Sequence, residues 1–299
     1  MAPVLAVGSV SDTLQVILGG IATGGLYAVL LLGVILVFQV SKNVNFAYGE
    51  VGVIGAMVSY VAYSAAHWPV PAALLLGAVA GVALAAVTDL ALIRRIPGRQ
   101  GFDLVVTLGA LLLLTAGSDV VFGSADRQYL PLLSDKATVA GGVYINASDL
   151  LSVGLGIVAL VVGHLVVNRT GLGVSLRASA EDAAVARSMG IDVLNLRTGV
   201  WAVSGLLAAV AAMVLASRLV LDARYMTPVI INVFIAGMLG GLDRYWPPML
   251  AAFGVGLYNS LASYIFGSDA ATPALFVLVI AVLIVAPKRF LEERYEARA

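Results

Sequence analysis

No cysteine occurs anywhere in this 299-residue chain, which excludes disulfides, thiolate metal sites and cysteine nucleophiles at once. Histidine is nearly as scarce. His67 and His164 lie far apart, with no H-x-x-x-H or H-E-x-x-H spacing, so a metal centre is not expected. No G-x-x-x-x-G-K-[ST] phosphate loop is present, and any ATP-driven process would need its hydrolase on another polypeptide. Paired aspartates and Ser–His arrangements are missing from the apolar runs, which disfavours an intramembrane enzyme. A secretory leader is not evident either. The first apolar run lacks a basic n-region and an A-x-A site, and it exceeds the roughly 7–15 residues of a leader's apolar core.

Charge is thin, at 11% of residues, while 61% are hydrophobic and the mean hydropathy is +1.02. Long uncharged runs recur, mostly of about 15–25 residues, and a helix is the element that satisfies its own backbone in a bilayer. A transmembrane β-barrel would instead alternate weakly over about ten residues per strand. The expectation is an all-α, polytopic transmembrane protein of about 8–9 helices, with spans at 14–38, 47–66, 70–93, 104–122, 149–167, 197–217, 228–242, 247–266 and 272–287. The second, seventh and ninth are short, and one of them could be re-entrant or broken.

The net charge of +0 conceals an asymmetry. With nine crossings, one side carries Lys42, Arg94, Arg95, Arg99, Arg169, Arg177, Arg187, Arg197, Arg244, Lys288, Arg289, Arg294 and Arg298, thirteen cations against four on the other side (Arg127, Lys136, Arg218 and Arg224). Positive residues gather on the cytoplasmic side, which puts residues 169–197 and the C-terminus there. The N-terminus is then external, unless a segment near 42–50 is re-entrant. The connection at 123–148 is long and polar (Asp126, Arg127, Asp135, Lys136, Asn146), and reads either as a dock for an external protein or as a plain surface loop. The basic edge and the tail KRFLEERYEARA look like orientation signals and a short amphipathic end. Their small clusters, interleaved with Glu292, Glu293 and Glu296, argue against nucleic-acid binding.

Residues 169–192, RTGLGVSLRASAEDAAVARSMGID, form a charged island between apolar runs. Ser179 stands three residues before Asp182 in a capping-box-like pattern, and Gly190 suits the position past a helix end, predicting a helix of about ten residues over 180–189. A helix that short is marginal alone in water, so a groove on another protein would stabilise it. Ala180, Ala183 and Ala184 give it a small-residue face, with Arg177, Glu181, Asp182 and Arg187 around it. A solvated loop helix packed on the membrane part is the plainer alternative.

The pattern R-T-x-x-G-x-x-x-R-A-x-x-x-D-x-x-A-A-x-x-x-G-I resembles the cytoplasmic coupling segment of ABC importer permeases, in particular the branched-chain amino acid permease family. It falls on Arg169, Gly173, Arg177, Ala178, Glu181, Asp182, Ala184 and Gly190-Ile191. Where the pattern has two adjacent alanines after the acidic pair, this chain has Ala183-Ala184 and then Val185-Ala186. Three further stretches are similar to the family in the same order: Asn45-Phe46-Ala47-Tyr48-Gly49-Glu50, Val105-Val106-Thr107-Leu108-Gly109 and Leu239-Gly240-Gly241. After the last of these the family usually continues with small residues, whereas this chain has Asp243-Arg244-Tyr245-Trp246-Pro247-Pro248.

The resemblance implies one transmembrane permease domain over 1–299 with an ABC importer permease fold, in a bacterial inner membrane, its coupling segment at 169–192. It implies a second related permease subunit, two cytoplasmic ATPases that hold the ATP and Mg, and an extracytoplasmic substrate-binding protein. The cargo would be a branched-chain amino acid or a related small polar solute such as an amide or urea. Residues matched to ATPase coupling are Arg177, Ser179, Glu181, Asp182, Ala184, Arg187 and Gly190.

Candidates for the pathway come from polar groups in apolar surroundings: Tyr27, Asn43, Asn45, Glu50, Thr107 and Asn232. Glu50 is the sharpest, because a carboxylate at a helix centre costs about 2.5–3.5 kcal/mol on insertion scales. It reads as a pathway group or as a helix N-terminal carboxylate favoured by the macrodipole. Thr107 and Tyr27 also suit local hydrogen bonds, and His164 suits packing. Gly20/Gly24 and Gly77/Gly81, at four-residue spacing, allow close helix contact. The competing reading is a stand-alone ion-coupled secondary transporter, which would draw on Glu50, Asp89 and Asp119.

Overall fold

The computed structural model describes residues 10–95, 102–123, 125–130, 132, 138–140 and 143–285. Arg99, Asp135, Lys136 and the tail charges from Lys288 to Arg298 lie outside the described residues. Among the described residues eleven α-helices follow one another: α1 (Val10–Ser41), α2 (Tyr48–Ser64), α3 (Val70–Ala91), α4 (Phe102–Phe122), α5 (Ala147–Arg169), α6 (Gly171–Glu181), α7 (Ala183–Ser188), α8 (Val193–Ala216), α9 (Met226–Gly240), α10 (Trp246–Phe266) and α11 (Ser268–Val285). Each of the nine expected spans coincides with one helix, and α2, α9 and α11, the short ones, are unbroken. Among the described residues six helices are long and apolar enough to cross a membrane, and α9 and most of α11 are shorter apolar helices. The chain is an all-α, multi-pass membrane protein. The long polar connection adds a small antiparallel hairpin, β1 (Thr138–Ala140) with β2 (Val143–Ile145).

Helix α1 forms the axis of the bundle, packing on α5, α8, α9 and α10. Its most apolar stretch is 83% buried, against 17% for α4, which packs chiefly on α2. Lipid tails are as apolar as leucine, so packing of these helices relies on close backbone approach through small residues. The four-residue glycine pairs supply it. A Cβ on Gly24 would meet Phe253 Cα of α10 at 2.7 Å, and one on Gly81 would meet Gly205 O of α8 at 2.7 Å.

Polar contacts between helices sort into two faces. On one, Lys42 pairs with Asp243 (3.0 Å) and Arg94 reaches the start of α8. On the other, Arg218 pairs with Asp149 (2.7 Å), and Gln15 bonds both the N–H and the C=O of Tyr144 at 2.8 Å, its amide acting as a strand partner for β2.

The charged island departs from expectation. It holds two helices instead of one over 180–189, because Asp182 interrupts it: at φ −150° its carboxylate accepts from Ala184 N (2.7 Å) and Val185 N (3.0 Å), making it the N-cap of α7. Ser179 is therefore not a cap. It lies buried within α6, whose own cap is Thr170, accepting from Gly173 N. Gly190 takes φ +87° just past α7, as its position predicts.

Candidate functional site

The six pathway candidates separate into three clusters. The segment between α1 and α2 carries the first. Asn45 Oδ1 accepts from Ala47 N (3.0 Å) and its carbonyl accepts from Tyr48 N (3.3 Å), an Asx-type turn that launches α2. Thr107 of α4 donates to Leu104 O (3.1 Å) and reaches Val44 O at 3.4 Å, tying the turn to α4. Asn43 adjoins this turn. These residues shape the entry to α2.

Tyr27 and Asn232 form the second cluster, on α1 and α9. Asn232 Nδ2 donates to Tyr27 Oη at 3.2 Å, and Asn259 Nδ2 of α10 donates to the same oxygen at 2.9 Å. Both Tyr27 and Asn232 are buried, and Asn232 Oδ1 has no partner. The triad locks α1 to α9 and α10. Asn259 was not among the sequence candidates; a single amide in α10 gives no periodic signal.

Glu50 lies in the first turn of α2, 3% exposed, with Oε2 unpartnered among the described residues. It lines a cavity of about 230 Å³ with Phe46, Gly49, Leu111, Thr227, Ile230 and Phe234 among its walls. The Thr115 hydroxyl of α4 lies beside the carboxylate. Sequence reasoning missed Thr115, although Thr107, Leu111 and Thr115 recur at four-residue steps along one face of α4.

Asp89, fully buried on α3, has the opposite environment. Arg197 Nε lies 2.8 Å from Oδ1, Arg94 Nε 3.4 Å from Oδ2, and Thr198 donates to Oδ2 at 2.5 Å. Arg94 also donates to Leu194 O and Thr198 Oγ1, both at 2.5 Å. Asp119 lies 3.6 Å from Arg224. Two of the three carboxylates that an ion-coupled carrier would draw on are thus already paired with arginines, leaving Glu50.

In the island, Arg177 donates to Val167 O (2.5 Å), which pins α6 beneath α5. Arg177 and Glu181 line a polar cavity of about 250 Å³ with Gln39, Lys42, Asn168 and Asp243. Arg187 donates to Ala183 O (3.0 Å) within α7. Ala186 anchors α7 inward, whereas Ala184, Val185, Arg187 and Met189 face outward. The backbone N–H groups of Val185 and Ala184 hold the exposed Asp182 carboxyl below the usual aspartate range.

The Asp243–Pro248 stretch acquires a structural account. After Gly241 (φ +81°), Asp243 pairs with Lys42, Tyr245 donates to Leu160 O (2.6 Å) and Ala159 O (3.0 Å), Trp246 packs against His164, and Pro247 and Pro248 open α10. His164 also bonds Asn168 at 2.9 Å, so it serves packing.

Residues 16–287 match the family described as branched-chain amino acid transport system, permease component. The chain is similar to the probable branched-chain amino acid transport permease protein LivH of Methanocaldococcus jannaschii, 27% identical over 90% of this chain and 89% of that one. It is also similar to the high-affinity branched-chain amino acid transport system permease proteins BraD of Pseudomonas aeruginosa (26% identical) and LivH of Escherichia coli K12 (25% identical), each covering 92% of this chain and 94% of the relative. No solved structure matches the chain.

Proposed function

The chain belongs to the family of branched-chain amino acid transport permeases, and from that premise we propose that it is the membrane subunit of an ATP-binding-cassette importer. Its cargo is a branched-chain amino acid or a related small polar solute such as an amide or urea. It works beside a second permease subunit, either a related chain or a second copy of itself. Two cytoplasmic ATPases dock on the α6–α7 segment, and an extracytoplasmic protein delivers the solute. The α6 face and the C-terminus are cytoplasmic, in a bacterial inner membrane.

The supporting observation is α7. Outside the apolar spans, where the surroundings are aqueous, this six-residue helix leaves Val185 54% and Met189 74% exposed. A chain with no phosphate loop of its own has there a small apolar knob, rimmed by Arg187 and Glu181, for a partner's groove. ATP-driven closure of the partners would push on α6 and α7, and α6 bears on α1 and α5.

The test is co-isolation of the tagged chain with a soluble ATPase from its host. Val185→Asp with Met189→Asp, and separately Glu181→Arg with Asp182→Arg, are expected to abolish it while the chain still inserts. A chain that moves leucine into vesicles unaided by an ATPase would overturn the importer reading in favour of the ion-coupled carrier.

A further inference from the structure

Several buried side chains hold a polar atom without a hydrogen-bond partner, and Glu50 differs from them as a buried carboxylate that, unlike Asp89, no described arginine or lysine pairs. A carboxylate 3% exposed, in an apolar helix, needs a cation or a proton. Among the described residues no lysine or arginine lines its cavity, and Arg224, a cation that acts on it from outside that lining, is 3.6 Å from Asp119. The unpartnered Oε2 belongs to the cavity wall.

The rest of that wall is chemically one-sided. Phe46, Leu111, Ile230, Ile231 and Phe234 make it almost wholly apolar. The polar exceptions sit at the helix ends, Glu50 in the first turn of α2 and Thr227 in the first turn of α9. A volume of about 230 Å³ admits one small amino acid rather than a drug-sized ligand. Gly49 keeps it open: a Cβ there would come within 2.7 Å of Ile230 Cγ1.

We propose that this cavity between α2, α4 and α9 is a substrate subsite, in which Glu50 receives the ammonium group of an α-amino acid and the aliphatic side chain lies against Leu111, Ile230, Ile231 and Phe234. The assignment rests on the reading of the chain as a branched-chain amino acid permease. A charged amine supplies the missing cation without a permanent basic residue. The carboxylate of the same molecule falls toward Thr227 and the positive end of α9. Selection here is by two features at once, an amine and a branched hydrocarbon.

The natural absence of cysteine permits a direct measurement. In the importer reconstituted with its ATPases and binding protein, Thr227→Cys is labelled with a maleimide. Leucine and 3-methylbutylamine are expected to slow labelling, and 4-methylpentanoate, which has the same hydrocarbon and no amine, is not. Adding Glu50→Gln should remove the protection and cut leucine uptake by about tenfold or more, the worth of one charge-assisted hydrogen bond. If the unmodified importer moves no leucine, the branched-chain reading on which the subsite rests fails and the cargo is one of the other small solutes. If it moves leucine while Glu50→Gln does so equally well and labelling ignores all three probes, the subsite is overturned and the permease reading stands. Protection by 4-methylpentanoate equal to that by leucine would also overturn it, since the amine would then have no role. Should Glu50→Gln not assemble, the three probes on Thr227→Cys alone decide.

Discussion

Asp89 and Glu50 are both carboxylates withdrawn from water, yet one lies between two guanidiniums and a hydroxyl while the other leaves an oxygen facing a cavity. The contrast separates two uses of a buried charge. At Asp89 it joins the end of α3 to the start of α8, just after the charged island, and the protein itself supplies the compensation. At Glu50 no described arginine or lysine supplies it, and the proposed subsite would take the compensation from the bound solute.

The strongest way to break the contrast is Asp89→Asn, which strands Arg94 and Arg197. Losing one partner of a buried pair costs about 3–5 kcal/mol, and the partial exposure of both guanidiniums places this case near the lower end, about 3 kcal/mol. Thermal unfolding in detergent should show the drop. Thr198→Val removes only the hydroxyl of the same cluster and should cost about 1.5 kcal/mol by the same assay. On the other side of the comparison, Thr115→Val should cost about 1 kcal/mol or less. Glu50→Gln should leave the melting temperature unchanged or raised while uptake falls; a loss of stability matching that of Asp89→Asn would erase the distinction.

The smallest effect belongs to an exposed acid outside both regions. Asp182 has its carboxyl lowered by the α7 backbone, so its stabilisation of α7 is in place above the ordinary aspartate range and is lost as pH falls through the lowered native value. Amide exchange over 183–188 should quicken across that acid window. Asp182→Asn, which keeps a capping side chain but cannot titrate, should flatten the dependence.

Helix placement was legible because uncharged runs have one solution in a bilayer, and all nine runs became helices. The island was harder. The S-x-x-D spacing fitted a capping box, but Asp182 could also cap a helix of its own, and the local backbone decided for Asp182. Among the buried polar residues, single positions were legible and their groupings were not. Tyr27, Asn232 and Asn259 meet from three helices over more than two hundred residues of sequence, a proximity that no periodicity encodes. Asp89 read as a near-membrane acid for ion coupling because Arg197, more than a hundred residues away, could not be seen beside it.

Helix α1 has a mechanical consequence. Its 32 residues extend for about 48 Å, longer than the roughly 30 Å hydrocarbon layer, so it tilts or protrudes. One end carries the clasp between Gln15 and Tyr144, and the other bears on α6. A single stiff rod therefore joins the hairpin to α6, and linkage makes any coupling along it reciprocal: a displacement favoured at one end is favoured equally by whatever stabilises it at the other.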